Sequence, residues 1–297
     1  MSISVVGDST WSRVGEVAPT ALIDARVELH YAAQIAVSAA ISYIPAQADD
    51  SHTALTWSAE HRALVTEPIT AAGPFRIGLR VEDLTLLVLD EKIGATGSFA
   101  LPGRTSADAH IWLSEIMAEV GLDSGCLTSR KHYTIPDRRV GTDAPFSDGI
   151  ARELRELARY WSSAAALLND LVRSAPGASA VRTWPHHFDI ATLIALPGTP
   201  QRTIDVGQSP GDDSYGEPYW YVGPYPYPDA RALPPLAGGG HWHTAGWLGA
   251  ALPASAFVGA TDQRAQVTAF VESAVTACRR LLGDGLPSPS VAGWPHP

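Results

Sequence analysis

Alternation of apolar and polar residues over 75–88 is the feature that most constrains the fold of this chain. Apolar side chains recur at every second position over 75–81 and again over 84–88, on either side of Glu82-Asp83. Such alternation around a two-residue connection is typical of an antiparallel hairpin. The fold must therefore bury a sheet face. Similar but weaker patterns predict strands at 37–44, 54–57, 63–66, 187–194, 203–206, 219–222 and 247–252.

Helix-like spacing of apolar residues appears in four longer segments. Three-to-four periodicity predicts helices at 21–36, 106–120, 149–173 and 262–282. Thr105 or Ser106 is the expected N-cap of the second helix, and Thr261 that of the fourth. On the second helix, Trp112, Ile116 and Val120 are expected on one side.

The order of these elements predicts an α+β fold. Helices and strands are clustered and do not alternate strictly, which favours antiparallel sheets packed with four main helices. The loop-like segment 122–147 is a candidate boundary between two α/β halves. We therefore expect an N-terminal domain over 1–147 and a C-terminal domain over 148–297.

Composition narrows the possible partners. With 45% hydrophobic and 18% charged residues, the chain can bury a real core. A net charge of −10 without a basic face argues against nucleic acid and anionic membranes as partners. The N-terminus lacks the features of a signal peptide, and the apolar run 31–44 is too short to span a bilayer, so we expect a cytoplasmic protein. The two cysteines imply no disulfide framework.

Two histidine pairs are the main candidates for chemistry. In a strand, residues two apart face the same side, so His187 would project with Asp189, and His241 with His243. His187, His241 and His243 are candidate ligands of a transition metal such as Zn, Fe, Mn or Ni. Asp189 and Glu217 are candidate catalytic carboxylates, with Glu217 also a possible further ligand. Alternatively, the histidines are half-buried structural residues bonded to backbone or carboxylate groups.

Aromatic residues are concentrated in the C-terminal half. Five of the nine tyrosines lie between Tyr215 and Tyr227. Tyrosine and tryptophan combine apolar area with a polar tip, which suits the walls of a ligand cleft. The alternative is a loop that packs on itself. The candidate substrate-binding residues here are Trp184, Tyr219, Trp220, Tyr221 and Trp242.

Two serine-containing strings suggest a weaker alternative. Gly207-Gln-Ser209-Pro-Gly211 has the G-x-S-x-G form of a nucleophile elbow, but the residues that follow do not favour a helix. Gly7-Asp-Ser9 is similar to the opening block of the GDS-type esterases, whose late Asp-x-x-His is missing here. Alternatively, these Gly- and Ser-containing strings are turns next to strands and have no catalytic role.

Several short segments together resemble a bacterial family, domain of unknown function 5996. They are 29–35 (Leu-His-Tyr-Ala-Ala-Gln-Ile), the stretch 184–191, the stretch 216–221 leading into Pro224 and Pro226, and 270–274. The resemblance covers roughly residues 20–282 and implies an α+β fold with this order of elements, but no activity. It implies shared polar positions at His30, Gln34, Asp189 and Glu217. His30 and Gln34 thereby join the candidate substrate-binding residues.

Two functions from different classes remain open at this stage. The first is an enzyme acting on a small molecule through a His/carboxylate site, with or without a metal, in the C-terminal half. The second is a non-catalytic module that binds a small ligand or a partner through the Tyr/Trp-rich segment. A serine esterase is the third and weaker hypothesis. The sequence decides neither the substrate nor the oligomeric state.

Overall fold

The computed structural model describes residues 10–128, 133–135, 144–198 and 201–283. Within these ranges, four α-helices and eleven β-strands form an α+β fold with antiparallel sheets, which confirms the predicted class. The helices are α1 (Ile23–Tyr43), α2 (Ser106–Glu119), α3 (Ala151–Ser174) and α4 (Gln263–Leu281). The strands are β1 (Thr56–Ser58), β2 (Ala63–Val65), β3 (Arg76–Arg80), β4 (Thr85–Leu89), β5 (Ala95–Ala100), β6 (Arg182–Thr183), β7 (Ile190–Leu196), β8 (Arg202–Ser209), β9 (Tyr219–Tyr225), β10 (His241–His243) and β11 (Gly249–Pro253).

Two compact units share the chain, and the division between them falls inside α3, after Ser162. Described residues 21–162 and 182–188 belong to the first unit. Described residues 10–20, 163–181 and 189–283 belong to the second. The predicted domain boundary after residue 147 stays a prediction.

The first unit contains a sheet in the order β1-β2-β3-β4-β5. The predicted hairpin is confirmed as β3 and β4, with Ile77 opposite Val88 and Leu79 opposite Leu86. These side chains are buried, so the alternation in the sequence does mark a core-facing strand pair. Strand β5 was not predicted, because its sequence, Ala-Thr-Gly-Ser-Phe-Ala, is largely small and polar. Backbone pairing of Phe99 with Leu86 places it at the sheet edge.

Helix α1 corrects one sequence-based prediction. The segment 37–44 was expected to be a strand, but α1 continues through Tyr43. Val37, Ala39 and Ala40 are all buried, so this part of the helix faces protein on several sides. A short apolar run in a buried helix lacks the periodicity that separates helix from strand.

Helix α2 begins where the sequence predicts. The Thr105 hydroxyl accepts a hydrogen bond from the Asp108 backbone, and the Asp108 carboxylate accepts one from the Thr105 backbone, which forms a capping box. The buried stripe, however, consists of Ala109, Leu113 and Met117. The predicted apolar side is only half-buried and flanks this stripe.

In the second unit, five antiparallel strands have the order β10-β11-β9-β8-β7. Their residues alternate between two faces, of which one is apolar and buried. Helix α4 contacts β8, β9 and β11 and presents apolar residues that include Val267, Phe270 and Val271. Its N-cap is Asp262 and not the expected Thr261, since the Asp262 carboxylate accepts from the Ala265 backbone. The buried face carries Ile190, Ile194, Ile204, Val206, Trp220, Val222, Ala250 and Leu252.

The strand predicted over 187–194 begins later than expected, at Ile190. Residues 185–187 form a turn closed by a hydrogen bond from the Phe188 backbone to the Trp184 carbonyl. Phe188 has a positive φ of 60°, which interrupts extended backbone. The strand on which a shared orientation of His187 and Asp189 is predicted is therefore not formed at these residues, and the two residues belong to different units.

Replacement of Leu113 by alanine tests the observed buried stripe of α2. Leu113 is fully buried, so Leu113→Ala should lower the free energy of unfolding by about 2–5 kcal/mol. The matched control is Ile111→Ala on the same helix, because Ile111 is 60% exposed and should cost less than about 0.5 kcal/mol. Denaturant unfolding measures both. Equal losses would contradict this orientation of α2.

Candidate functional site

The second face of the β7–β11 sheet carries polar and aromatic side chains, and we call it the polar face. Strand register brings its residues side by side: Gly207 lies opposite Tyr221, and Asp205 opposite Gly223. On the far side, Tyr221 lies opposite Ala251. The polar face comprises Ala191, Leu193, Ala195, Thr203, Asp205, Gly207, Ser209, Tyr219, Tyr221, Gly223, Tyr225, Gly249, Ala251, His241 and His243.

The half-buried Tyr221 and the buried Asp189 form a tyrosine–carboxylate pair on this face. The Tyr221 hydroxyl donates a hydrogen bond to Asp189 Oδ2, although Asp189 precedes β7 and Tyr221 belongs to β9. Its ring reaches Asp189 by crossing Gly207 of the intervening strand. A Cβ added at Gly207 would lie 2.5 Å from the Tyr221 hydroxyl and 2.8 Å from the Ala191 Cβ. Burial, followed by the charge of Asp189, holds the pKa of Tyr221 well above its usual range, so Tyr221 stays a donor.

Asp205 is the accessible carboxylate of the polar face. Its side chain is exposed to solvent. The surrounding protein nevertheless raises its pKa to about 6, mainly by partial desolvation and secondarily by the negative charge of Asp189. Among the described residues, no hydrogen bond or ion pair engages the Asp205 carboxylate. Tyr225, two residues beyond its cross-strand partner Gly223, is 61% exposed.

A turn after β8 anchors the next tyrosine. Asp212 Oδ1 accepts hydrogen bonds from the backbone of Ser214 at 2.7 Å and of Tyr215 at 3.1 Å, which fixes an Asx turn. Its other oxygen, Oδ2, accepts from the Tyr219 hydroxyl at 2.5 Å. Burial and then these contacts with Asp212 raise the pKa of Tyr219. The loop therefore holds Tyr215 next to Tyr219, with ring centroids 4.6 Å apart.

Tyr215 joins the two histidines of β10. Its hydroxyl lies 2.9 Å from His241 Nε2 and 3.1 Å from His243 Nδ1. His243 Nε2 lies 2.6 Å from the Ala245 carbonyl, which can only accept, so this nitrogen carries the proton. In neutral His243, Nδ1 then accepts a hydrogen bond from the Tyr215 hydroxyl. The oxygen of that hydroxyl in turn accepts a hydrogen bond from His241 Nε2. The predicted shared orientation of His241 and His243 is confirmed.

Trp247 supports the histidine pair from the side. Its indole stacks on His243 with a centroid distance of 4.3 Å and an interplanar angle of 19°, and its Nε1 donates to the Ser214 hydroxyl. A Cβ at Gly249 would lie 2.5 Å from the Trp247 ring, so a glycine is needed where the indole crosses β11. The ring of His243 is thus fixed by stacking, by the hydrogen bond that Nε2 donates and by the hydrogen bond that Nδ1 accepts.

Three predicted residues of the second unit have other roles. Trp220 is 2% exposed on the apolar face, so it belongs to the core of the second unit. Trp242 donates from Nε1 to the Pro234 carbonyl. Both carboxylate oxygens of Glu217 accept from Ser255, one from its backbone and one from its hydroxyl. Glu217 therefore holds the segment at Ser255, and both of its carboxylate oxygens are engaged there and not by the histidines of β10.

Four predicted residues belong to the first unit. His30 and Gln34 each direct a side-chain nitrogen to the Pro185 carbonyl, at 2.8 and 3.0 Å. His30 also stacks on Phe188 at 4.5 Å. These contacts hold the 184–188 turn in place. For His30 they are the kind of structural role, a hydrogen bond to backbone, that the sequence leaves open for the histidines. Trp184 is half-buried beside the His186 ring, and the exposed His187 lies against the same ring at 4.5 Å.

The nucleophile-elbow context is not formed at Ser209. The serine ends β8, is 3% exposed, and accepts a hydrogen bond from the Gly211 backbone inside the hairpin loop. A helix must follow the serine of such an elbow, whereas a loop and β9 follow here. The Gly7-Asp-Ser9 string lies outside the described residues.

Sequence reasoning missed Asp205, Asp212, Tyr215 and Trp247. Asp205 carried a usable signal, because it interrupts the apolar positions of a correctly predicted strand and must face away from Ile204 and Val206. The other three lie in loops. No local pattern indicates which strand a loop side chain will contact.

Comparisons with known proteins add no relative. No family model matches the chain, and no curated protein or solved structure matches it. The resemblance to domain of unknown function 5996 therefore stays a prediction. In the ranges described above, no cluster of three or more His, Cys, Asp or Glu residues that could hold a metal is found. None of the described helices has the length and apolar character needed to cross a membrane.

Gly207→Ala tests the crossing of β8 by Tyr221. The new methyl group would collide with the hydroxyl end of Tyr221, so we expect a loss of about 1–3 kcal/mol in unfolding free energy. Gly223→Ala is the control on the same face, where the nearest atom would be 3.9 Å away. Calorimetry or denaturant titration distinguishes them. A neutral Gly207→Ala would place Tyr221 elsewhere.

Proposed function

We propose that the second unit binds a small organic cation, such as an amine, on the polar face at Asp205. The observation that carries this proposal is an exposed carboxylate, bordered by tyrosines, that no described residue neutralises. It corresponds to the ligand-binding module among the functions considered from sequence. Small-molecule sites combine ring or apolar walls with a few directed polar groups, and the polar face provides both.

The chemistry of the neighbouring side chains favours a cation over an anion. Asp189 contributes to the raised pKa of Asp205, so the local potential is negative. Tyr221 and Tyr225 share this face, and tyrosine rings attract cations through their π electrons. An amine placed at Asp205 would supply the positive charge that the carboxylate lacks. An anionic ligand would meet repulsion from the same group.

Removing the Asp205 charge tests the proposal. Full-length protein is screened by thermal shift against primary, aromatic, quaternary and polyvalent amines, with neutral isosteres alongside, since binding to the native state raises its stability. Amines that raise the melting temperature should lose most of that effect with Asp205→Asn. Asp213→Asn is the control, because it removes the same charge from an exposed loop residue. If no amine binds, or Asp205→Asn binds equally well, the proposal is wrong.

The pH dependence of amine affinity gives an independent test. The free carboxyl has a pKa of about 6, so protons compete with the amine below that pH. For an amine that stays charged throughout, affinity should be roughly tenfold weaker at pH 5 than at pH 7, as for any single competing proton. Isothermal titration calorimetry measures this. Asp205→Asn should abolish the dependence, and a pH-independent affinity in the unaltered protein would contradict the assignment.

Acid–base catalysis at the same carboxylate is a second candidate. A pKa of about 6 suits a group that exchanges protons near neutral pH, and such shifts are common at active sites. Amines found in the screen would be incubated with the protein and analysed by mass spectrometry. Conversion that Asp205→Asn abolishes would establish catalysis. Unchanged amines would leave binding alone as the function.

A further inference from the structure

Three potential ligand atoms converge at the edge of the polar face. His241 Nε2 and His243 Nδ1 lie 2.9 and 3.1 Å from the hydroxyl oxygen of Tyr215. The histidines come from the edge strand β10, and Tyr215 comes from the loop between β8 and β9. Residues two apart on a strand share a face, so both imidazoles reach the same point.

The surroundings of His243 are those of a metal ligand. A ligating histidine nearly always donates its second ring nitrogen to a carbonyl or carboxylate, which orients the ring and leaves the other nitrogen to the metal. His243 Nε2 donates to the Ala245 carbonyl at 2.6 Å and leaves Nδ1 directed at Tyr215. Stacking on Trp247 at 4.3 Å further restricts the ring. The imidazole is therefore preorganised.

The spacing of the three atoms also suits a metal ion. Bonds of about 2.0–2.1 Å in a tetrahedral site separate neighbouring ligand atoms by about 3.3 Å. The observed separations from the Tyr215 oxygen, 2.9 and 3.1 Å, are close to this value. Both nitrogens are directed at that oxygen, so an entering ion requires the Tyr215 ring to withdraw and keep its oxygen as the third ligand. His241 is exposed, which gives an ion access from solvent and leaves room for water as a further ligand.

We propose that His241, His243 and Tyr215 form a binding site for a divalent transition-metal ion such as Zn²⁺. Two imidazoles and a phenol oxygen suit zinc or copper better than the hard cations Mg²⁺ and Ca²⁺. The described residues contain no group of three or more His, Cys, Asp or Glu that could hold a metal. The site proposed here differs from such a group, because its third ligand is a tyrosine. On binding, the metal replaces the hydroxyl proton of Tyr215, which leaves to solvent, and the His241 proton moves to Nδ1.

This site differs from the one predicted from sequence and goes beyond the proposed amine binding. The sequence grouped His187 with His241 and His243, whereas Tyr215 is the group that the structure brings to the β10 pair. Neither proposal requires the other. Amine binding is tested at Asp205 and metal binding at β10, so failure of one is distinguishable from failure of the other.

Metal titration of the full chain tests the site. Chelator-treated protein is titrated with ZnCl₂ by calorimetry, and with CoCl₂ and CuCl₂ by absorption spectroscopy. We expect one ion per chain, a tetrahedral cobalt spectrum, and a phenolate-to-copper charge-transfer band. His241→Ala and His243→Ala should each weaken zinc binding at least tenfold. Tyr215→Phe should weaken it and remove the charge-transfer band, with folding checked by circular dichroism.

The exposed histidines of the first unit supply the matched control. A His186→Ala/His187→Ala double variant removes two adjacent exposed imidazoles and should retain the full stoichiometry. No binding of any of the three metals would overturn the site. Undiminished zinc binding in His241→Ala and His243→Ala would overturn the site as well. So would a loss of zinc binding that occurs only in the His186→Ala/His187→Ala variant. Full affinity in Tyr215→Phe would contradict the role of the phenol.

Discussion

The register between β8 and β9 is the constraint on which the surface of the second unit depends. With Gly207 opposite Tyr221, the tyrosine ring crosses the one position in β8 that has no side chain and reaches Asp189. A one-residue slip of β9 would exchange the two faces of that strand, since side chains alternate with a period of two. It would turn Trp220 away from the buried face and direct Tyr221 towards it, away from Asp189. Both consequences are unfavourable, so the register is well specified.

With this register, some polar groups of the face have hydrogen-bond partners within the protein, whereas one carboxylate is left accessible to solvent. The hydroxyls of Tyr219 and Tyr221 donate hydrogen bonds to Asp212 and Asp189, which fix the orientation of both rings. Asp205 stands apart because its carboxylate is accessible and its pKa is raised to about 6. A rigid aromatic surface beside an uncompensated charge can bind a cation with little rearrangement. This contrast is the physical basis of the proposed function.

The sequence predicted the fold class, and it placed only some of the side chains that meet on the polar face. Strong local signals were sufficient for the β3–β4 hairpin and for the capping box of α2. They failed for 37–44, where a buried helix has no polar side to reveal its period. The aromatic density of 215–227 predicted Trp220 in a cleft wall, whereas its register in β9 buries it on the apolar face, which α4 covers.

The histidines illustrate the same limit at the level of chemistry. His241 and His243 were correctly placed on one side of a strand, because that depends only on local geometry. Their contact with Tyr215 depends on a loop 26 residues away along the chain, for which no periodic signal exists. The strand predicted at His187 is not formed, since the backbone of Phe188 has a positive φ and β7 begins only at Ile190. Tertiary partners of loop residues come from the structure alone.

The carboxyl carbon of Asp205 offers the most direct test of cation binding at the polar face. Its ¹³C chemical shift can be followed against pH in labelled protein, first free and then saturated with an amine. We expect a midpoint at about pH 6 in the free protein and a clear decrease when the amine is bound. A midpoint at the ordinary aspartate value of about 3.9, unchanged by any amine, would contradict it.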